Sequence, residues 1–212
     1  MNAQTERLTI EGPAGVLEVA RDLAQAESGA VRGTAIIAHP HPLFAGTMDN
    51  KVVQTMARAF VASGWNALRF NFRGVGQSAG EYDAGKGECE DFMAVVAQLA
   101  PQGPLALAGF SFGSFVMSHA LAQLWGTRQI DKTVFVGTAA SRFSVAPVPP
   151  EAHERTLVIH GEADDTVPLS AVMDWARPQI LPVTVVPGGA HFFHGQLPLL
   201  KSLVTRHLSA GI

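Results

Sequence analysis

The chain has 212 residues, 47% of them hydrophobic and only 16% charged, against an average charged share of about 25%. That is ample for one sizeable core, and the low charge fits a sheet covered on both faces. A net charge of −3 and a pI near 6.2 offer no electrostatic reason for nucleic acid or an anionic membrane as partner.

In chain order, residues 8–10 and 16–20, separated by Gly12-Pro13-Ala14-Gly15, read as an antiparallel hairpin. Thr34-Ala35-Ile36-Ile37-Ala38 is a fully apolar strand that runs into His39-Pro40-His41-Pro42. From Asp49 the spacing of Val52, Val53, Met56, Ala59 and Phe60 is helical, and Gly64 ends it. Residues 65–72 form the next strand, residues 73–78 a Gly-rich loop and residues 88–99 a helix. A strand at 104–108 leads into a helix at 114–124, and strands follow at 132–136, 156–160 and 183–186. Helices at 170–176 and 197–208 complete the chain. Strands alternating with helices predict a doubly wound, mostly parallel sheet in a single α/β domain spanning 1–212, with no linker or repeat. The stretch from Phe92 to Thr127 has no Asp, Glu, Lys or Arg, but Pro101, Pro104 and the Gly/Ser turn interrupt it, so it reads as a buried strand between two packed helices. A single Cys89 and an N-terminus with Glu6, Arg7, Glu11 and Glu18 but no apolar core point to a cytoplasmic protein without a signal peptide.

The chemistry gathers at Gly109-Phe110-Ser111-Phe112-Gly113, a G-x-S-x-G turn between an apolar strand and a helix. A serine on so tight a turn is strained, and glycine on either side avoids collision. The helix that follows aims its first N–H groups at the reaction centre. In such an architecture the partners follow as acid and then histidine, each on a loop at a strand's carboxyl end. The loop after 156–160 carries Asp164 and Asp165, and the loop after 183–186 carries His191 and His194. Asp164 is preferred for its place three residues after Gly161 and three before Val167-Pro168, leaving Asp165 as a turn residue. His191 is preferred as nearer the strand end. His191 would take the Ser111 proton while the carboxylate holds the imidazole tautomer. An oxyanion would be met by the N–H of Phe112 and a second N–H from the loop after 34–38; Pro40 and Pro42 have none, which leaves His41 first and Leu43 second.

Three other motifs compete and are set aside. His39-x-His41 could begin a metal site, but the serine reading uses the same loops better. Gly74-x-Gly76-x-x-Ala79 mimics a dinucleotide fingerprint, but loop follows where a helix is required. Gly80 to Gly87 misses a P-loop at its last position and carries Glu81 and Asp83. No cofactor and no metal are expected.

The segments His39 to Phe44, Gly46 to Lys51, Asn71 to Ser78, Gly109 to Gly113, Gly161 to Pro168 and His191-Phe192-Phe193 together resemble the small, lidless bacterial serine α/β hydrolases related to dienelactone hydrolases and carboxylesterases. The resemblance implies an α/β-hydrolase fold and a triad of Ser111, Asp164 and His191. The nucleophile is serine and not the cysteine of dienelactone hydrolase, so that enzyme's substrate is not implied. Only residues 137–155 separate two strands where a lid is usually inserted, so an open site for small, soluble, short-acyl esters or thioesters is expected. Leu43, Phe44, Phe110 and Phe192 are the candidate substrate contacts, with Phe112, Phe143 and Phe193 as further wall residues. A peptidase or lactone hydrolase on the same triad, or a non-catalytic binding protein, are the alternatives.

Overall fold

A computed structural model describes residues 5–24 and 30–210. Among the described residues eight strands make one sheet: β1 (Glu6–Gly12), β2 (Gly15–Asp22), β3 (Gly33–Ala38), β4 (Trp65–Phe70), β5 (Leu105–Phe110), β6 (Ile130–Val136), β7 (Thr156–Gly161) and β8 (Val183–Val186). Their order across the sheet is β1-β2-β4-β3-β5-β6-β7-β8. β1 pairs antiparallel with β2, and β2 antiparallel with β4; every other pairing is parallel. Parallel pairing from β4 to β8 brings their carboxyl ends to one edge, where the loops carrying the candidate residues meet.

Alternation along the strands explains the two covering layers. Ala35, Ile37, Ala106, Ala108 and Val134 face α1 (Lys51–Ala62) and α5 (Leu197–Ser209), joining Val53, Met56, Phe60, Leu200 and Val204 in one core cluster. Ile36, Leu68, Leu107, Phe135 and Val158 face α2 (Lys86–Leu99), α3 (Phe112–Leu124) and α4 (Leu169–Ala176), joining Phe92, Val116, Leu121 and Val172 in the other. The central strand β5 is buried along its whole length, and α3 is buried nearly all round. This double burial accounts for the charge-free run from Phe92 to Thr127.

The stretch between β6 and β7 holds a short 3-10 turn (Pro150–Arg155) and no α-helix. It is strapped to the body: the Ala146 N–H donates to Ser118 Oγ, Trp175 Nε1–H to the Ala146 carbonyl, and the Val148 N–H to Gln179 Oε1. The architecture is therefore lidless. The Gly-rich loop after β4 is likewise tied down, with the Ala79 N–H on the Val16 carbonyl, and helix resumes only at Lys86. Arg73 forms a buried fork on Asp91 with contacts of 2.8–3.2 Å, which anchors this loop to α2. No helix among the described residues is long and apolar enough to cross a membrane.

Candidate active site

Ser111 sits between β5 and α3 with φ 55° and ψ −117°, a backbone conformation strained for any residue with a Cβ. The flanking glycines have separate reasons. A Cβ on Gly109 would strike the backbone of Gly113 and Ser114 across the turn, whereas one on Gly113 would strike the carbonyls of Ala38 and His39 at the end of β3. The turn is clamped from below by Ser114, whose hydroxyl donates to the Gly109 carbonyl at 2.7 Å and accepts from the Val136 N–H at 3.3 Å.

The loops after β7 and β8 bring Asp164 and His191 to this serine. His191 Nε2 lies 3.0 Å from Ser111 Oγ, and His191 Nδ1 lies 2.7 Å from Asp164 Oδ2. A carboxylate can only accept, so Nδ1 carries the imidazole hydrogen and Nε2 is left as acceptor for the serine hydroxyl. Burial pushes the Asp164 carboxyl up, but the hydrogen bonds from His191 and the Val167 N–H outweigh it and hold the group below the usual carboxylate range. Asp164 Oδ1 accepts from the N–H groups of Thr166 at 3.0 Å and Val167 at 2.8 Å. Asp165 is exposed and reaches only the Thr166 hydroxyl, and His194 is exposed beyond the site.

His160, which sequence reasoning did not single out, lies under this loop. Its Nε2 is 2.9 Å from the Val167 carbonyl and 3.5 Å from Asp164 Oδ2. Burial lowers its pKa, so the neutral ring donates to Val167 and steadies the acid loop.

The loop after β3 is built on its two histidines. His39 is fully buried: its Nε2 accepts from the Phe72 N–H at 3.0 Å, so its Nδ1 carries the hydrogen toward the Pro40 carbonyl at 2.6 Å. Burial pushes its pKa down to about 4. With both nitrogens engaged, His39 has no donor atom for a metal shared with His41. Among the described residues no group of three or more His, Cys, Asp or Glu could hold one. His41 caps a 3-10 turn (Pro42–Phe44), its Nδ1 accepting the Leu43 N–H at 3.2 Å. The Leu43 N–H is thereby engaged, whereas the His41 N–H has no acceptor among the described residues. Phe112 opens α3, so its N–H has no acceptor within the helix.

A cavity of about 500 Å³ opens over Ser111, walled chiefly by Phe44, Phe112, Phe143, Phe192 and His41. Two of the expected contacts are elsewhere. Phe110 is fully buried beneath the His191 ring, at 5.0 Å between centroids, because the strand's alternation turns it into the core. Leu43 is 67% exposed, turned outward by its 3-10 turn, and does not line the cavity. Phe193 is also fully buried. Arg142, which no sequence motif marked, and Asn50, which lies in the Gly46 to Lys51 segment but is not among the expected contacts, do line it.

Residues 43–155 match the alpha/beta hydrolase fold family. A structure from Xanthomonas campestris, XC6422, described as an α/β serine hydrolase without a lid, is 36% identical and superimposes with a TM-score of 0.87, covering 100% of this chain and 99% of that one. An α/β serine hydrolase homologue from Coxiella burnetii is also 36% identical, with a TM-score of 0.80 over 96% of this chain and 97% of that one. An uncharacterized protein of Rickettsia prowazekii, RP471, is 38% identical over 114 residues; the match covers 52% of this chain and 47% of that protein, about half its length. With its eight-stranded sheet, its strained serine turn and no lid, the chain belongs to the α/β-hydrolase fold family, among its lidless serine hydrolases.

Proposed function

We propose that this hydrolase cleaves small, soluble carboxylic esters or thioesters through an acyl-enzyme on Ser111, with His191 as general base and acid and Asp164 as the group that orients it. The observation that carries the reading is the unbroken line Asp164 Oδ2, His191 Nδ1, His191 Nε2, Ser111 Oγ, with steps of 2.7 and 3.0 Å at its ends. In the first half-reaction Ser111 Oγ attacks the ester carbonyl carbon as its proton passes to His191 Nε2. The imidazolium is stabilised by the ionised Asp164, and the oxyanion is met by the N–H groups of Phe112 and His41. Collapse expels the alcohol or thiol, which takes the proton from Nε2. Water then attacks the acyl-serine with Nε2 accepting its proton, and as the acyl–Oγ bond breaks that proton returns to Ser111 Oγ and the carboxylic acid leaves. The open, aromatic-walled cavity of about 500 Å³ suits short acyl groups. Hydrolysis of p-nitrophenyl acetate, butyrate and decanoate, with and without EDTA, tests this. Turnover of the short esters, indifferent to EDTA and absent in Ser111→Ala, is expected. Turnover that survives Ser111→Ala, or that is lost with EDTA, would overturn it.

A further inference from the structure

We propose that Arg142 gives the cavity a subsite for a carboxylate, so that the preferred substrates are compact esters carrying an anionic carboxylate a few bonds from the scissile carbonyl. This rests on the ester-hydrolase reading above and narrows it. Arg142 lines the cavity over Ser111, yet among the described residues its guanidinium has no ion pair and no hydrogen bond. Elsewhere in the chain the arginines that reach into structure are committed, as Arg69 is to Asp22 and Arg73 to Asp91.

The cavity is otherwise one-sided in charge. None of its lining residues is Asp or Glu; of the carboxylates next to them, Asp164 is bound to His191 and Asp49 is paired with Arg7 and Arg69, while Asp165 is exposed beside Thr166. The N-terminal ends of two helices reach the same space, α3 at Ser111-Phe112 and α1 through its cap Asn50, and both favour negative charge. Burial, and after it the positive charge of Arg142, lowers the pKa of His41.

The residue is also held ready. The Arg142 N–H donates to the Ala139 carbonyl at 3.2 Å and the Phe143 N–H to the same oxygen at 3.1 Å, while the Phe143 ring stacks on Phe115 at 4.7 Å. The backbone beneath the guanidinium is therefore fixed, and only the side chain needs to order on binding. Arg142 lines the cavity and is solvent-exposed, so its ion pair with a bound carboxylate forms in contact with water and draws its selectivity from the planar, two-point fit of guanidinium to carboxylate, which a methyl end cannot make.

The test compares kcat/KM for the monoethyl esters of succinic, glutaric and adipic acids with that for ethyl valerate, following ethanol release in the wild type, Arg142→Gln and Arg142→Glu. O-butyryl glycolate beside ethyl butyrate forms a second arm that places the carboxylate on the alcohol side. At least one anionic ester is expected to exceed its neutral counterpart by about tenfold, with the ratio shrinking as salt is added. The ratio should collapse toward one in Arg142→Gln and invert in Arg142→Glu. Neutral esters cleaved with dependence on Ser111 but no anionic preference, or a preference indifferent to Arg142, would overturn this inference and leave the esterase reading intact. Turnover of neither class would overturn both.

Discussion

At the scale of single residues, Ser111 combines two costs that can be separated. Its positive φ carries strain of about 1–3 kcal/mol, which a glycine would relieve and an alanine would not. Ser111→Gly should therefore melt about 2–12 °C above Ser111→Ala in a thermal scan, although both lose hydrolysis by at least about 10³-fold. Asp164→Asn removes the acceptor that fixes the His191 tautomer and should lower kcat on the order of 10³–10⁴-fold, whereas Asp165→Asn, on an exposed side chain, should leave it within about twofold; steady-state kinetics on p-nitrophenyl butyrate separate the two. The choice of Asp164 over Asp165 was legible because the distance from the strand end fixes which side chain turns inward. The fates of Phe110 and Leu43 were not. One depends on which face of β5 points to the cavity, the other on a three-residue 3-10 turn whose direction no periodicity encodes. Arg142 was equally silent, for a lone arginine in a loop forms no pattern.

At the scale of elements, the strands and α-helices could be read to within a residue or two, since the central strands are apolar runs, the N-terminal hairpin alternates about a Gly/Pro turn, and the helices carry apolar stripes. What holds the loops at the site was not readable, because those ties are long-range. Asn71 Oδ1 accepts the Met48 N–H at 2.9 Å and Arg69 Nη1 donates to the Met48 carbonyl at 2.9 Å, so β4 fixes the approach to α1 beside the cavity. Arg73 performs the same service for the loop after β4. Asp91 is fully buried, so Arg73→Ala would leave its charge unpaired, with only the backbone N–H of residue 73 still donating to Oδ2. A loss of about 3–5 kcal/mol in a urea titration is expected, and a change below about 1 kcal/mol would show that the loop is held by its other contacts.

At the scale of the whole molecule, the sheet order places β3 between β4 and β5, which local sequence does not encode. Stability should depend on pH through buried histidines. His39 and His207 are both pushed down to about 4 from an ordinary 6.5, in each case chiefly by burial. Between those values the unfolded chain binds protons that the folded chain refuses, so stability rises with pH from about 4 to 6.5 and falls on acidification through the same window. For fully buried His39 a shift of that size corresponds to about 3 kcal/mol and comes from the burial of its ring. Denaturation midpoints measured across that window should show the slope, and His39→Gln should flatten it in part. The central claim, that Ser111 is the nucleophile of an acyl-enzyme, is tested most directly by intact-mass and peptide mapping after reaction with a fluorophosphonate. One adduct per chain, on Ser111, and none in Ser111→Ala is the predicted result. An unmodified chain, or an adduct on any other residue, would contradict it.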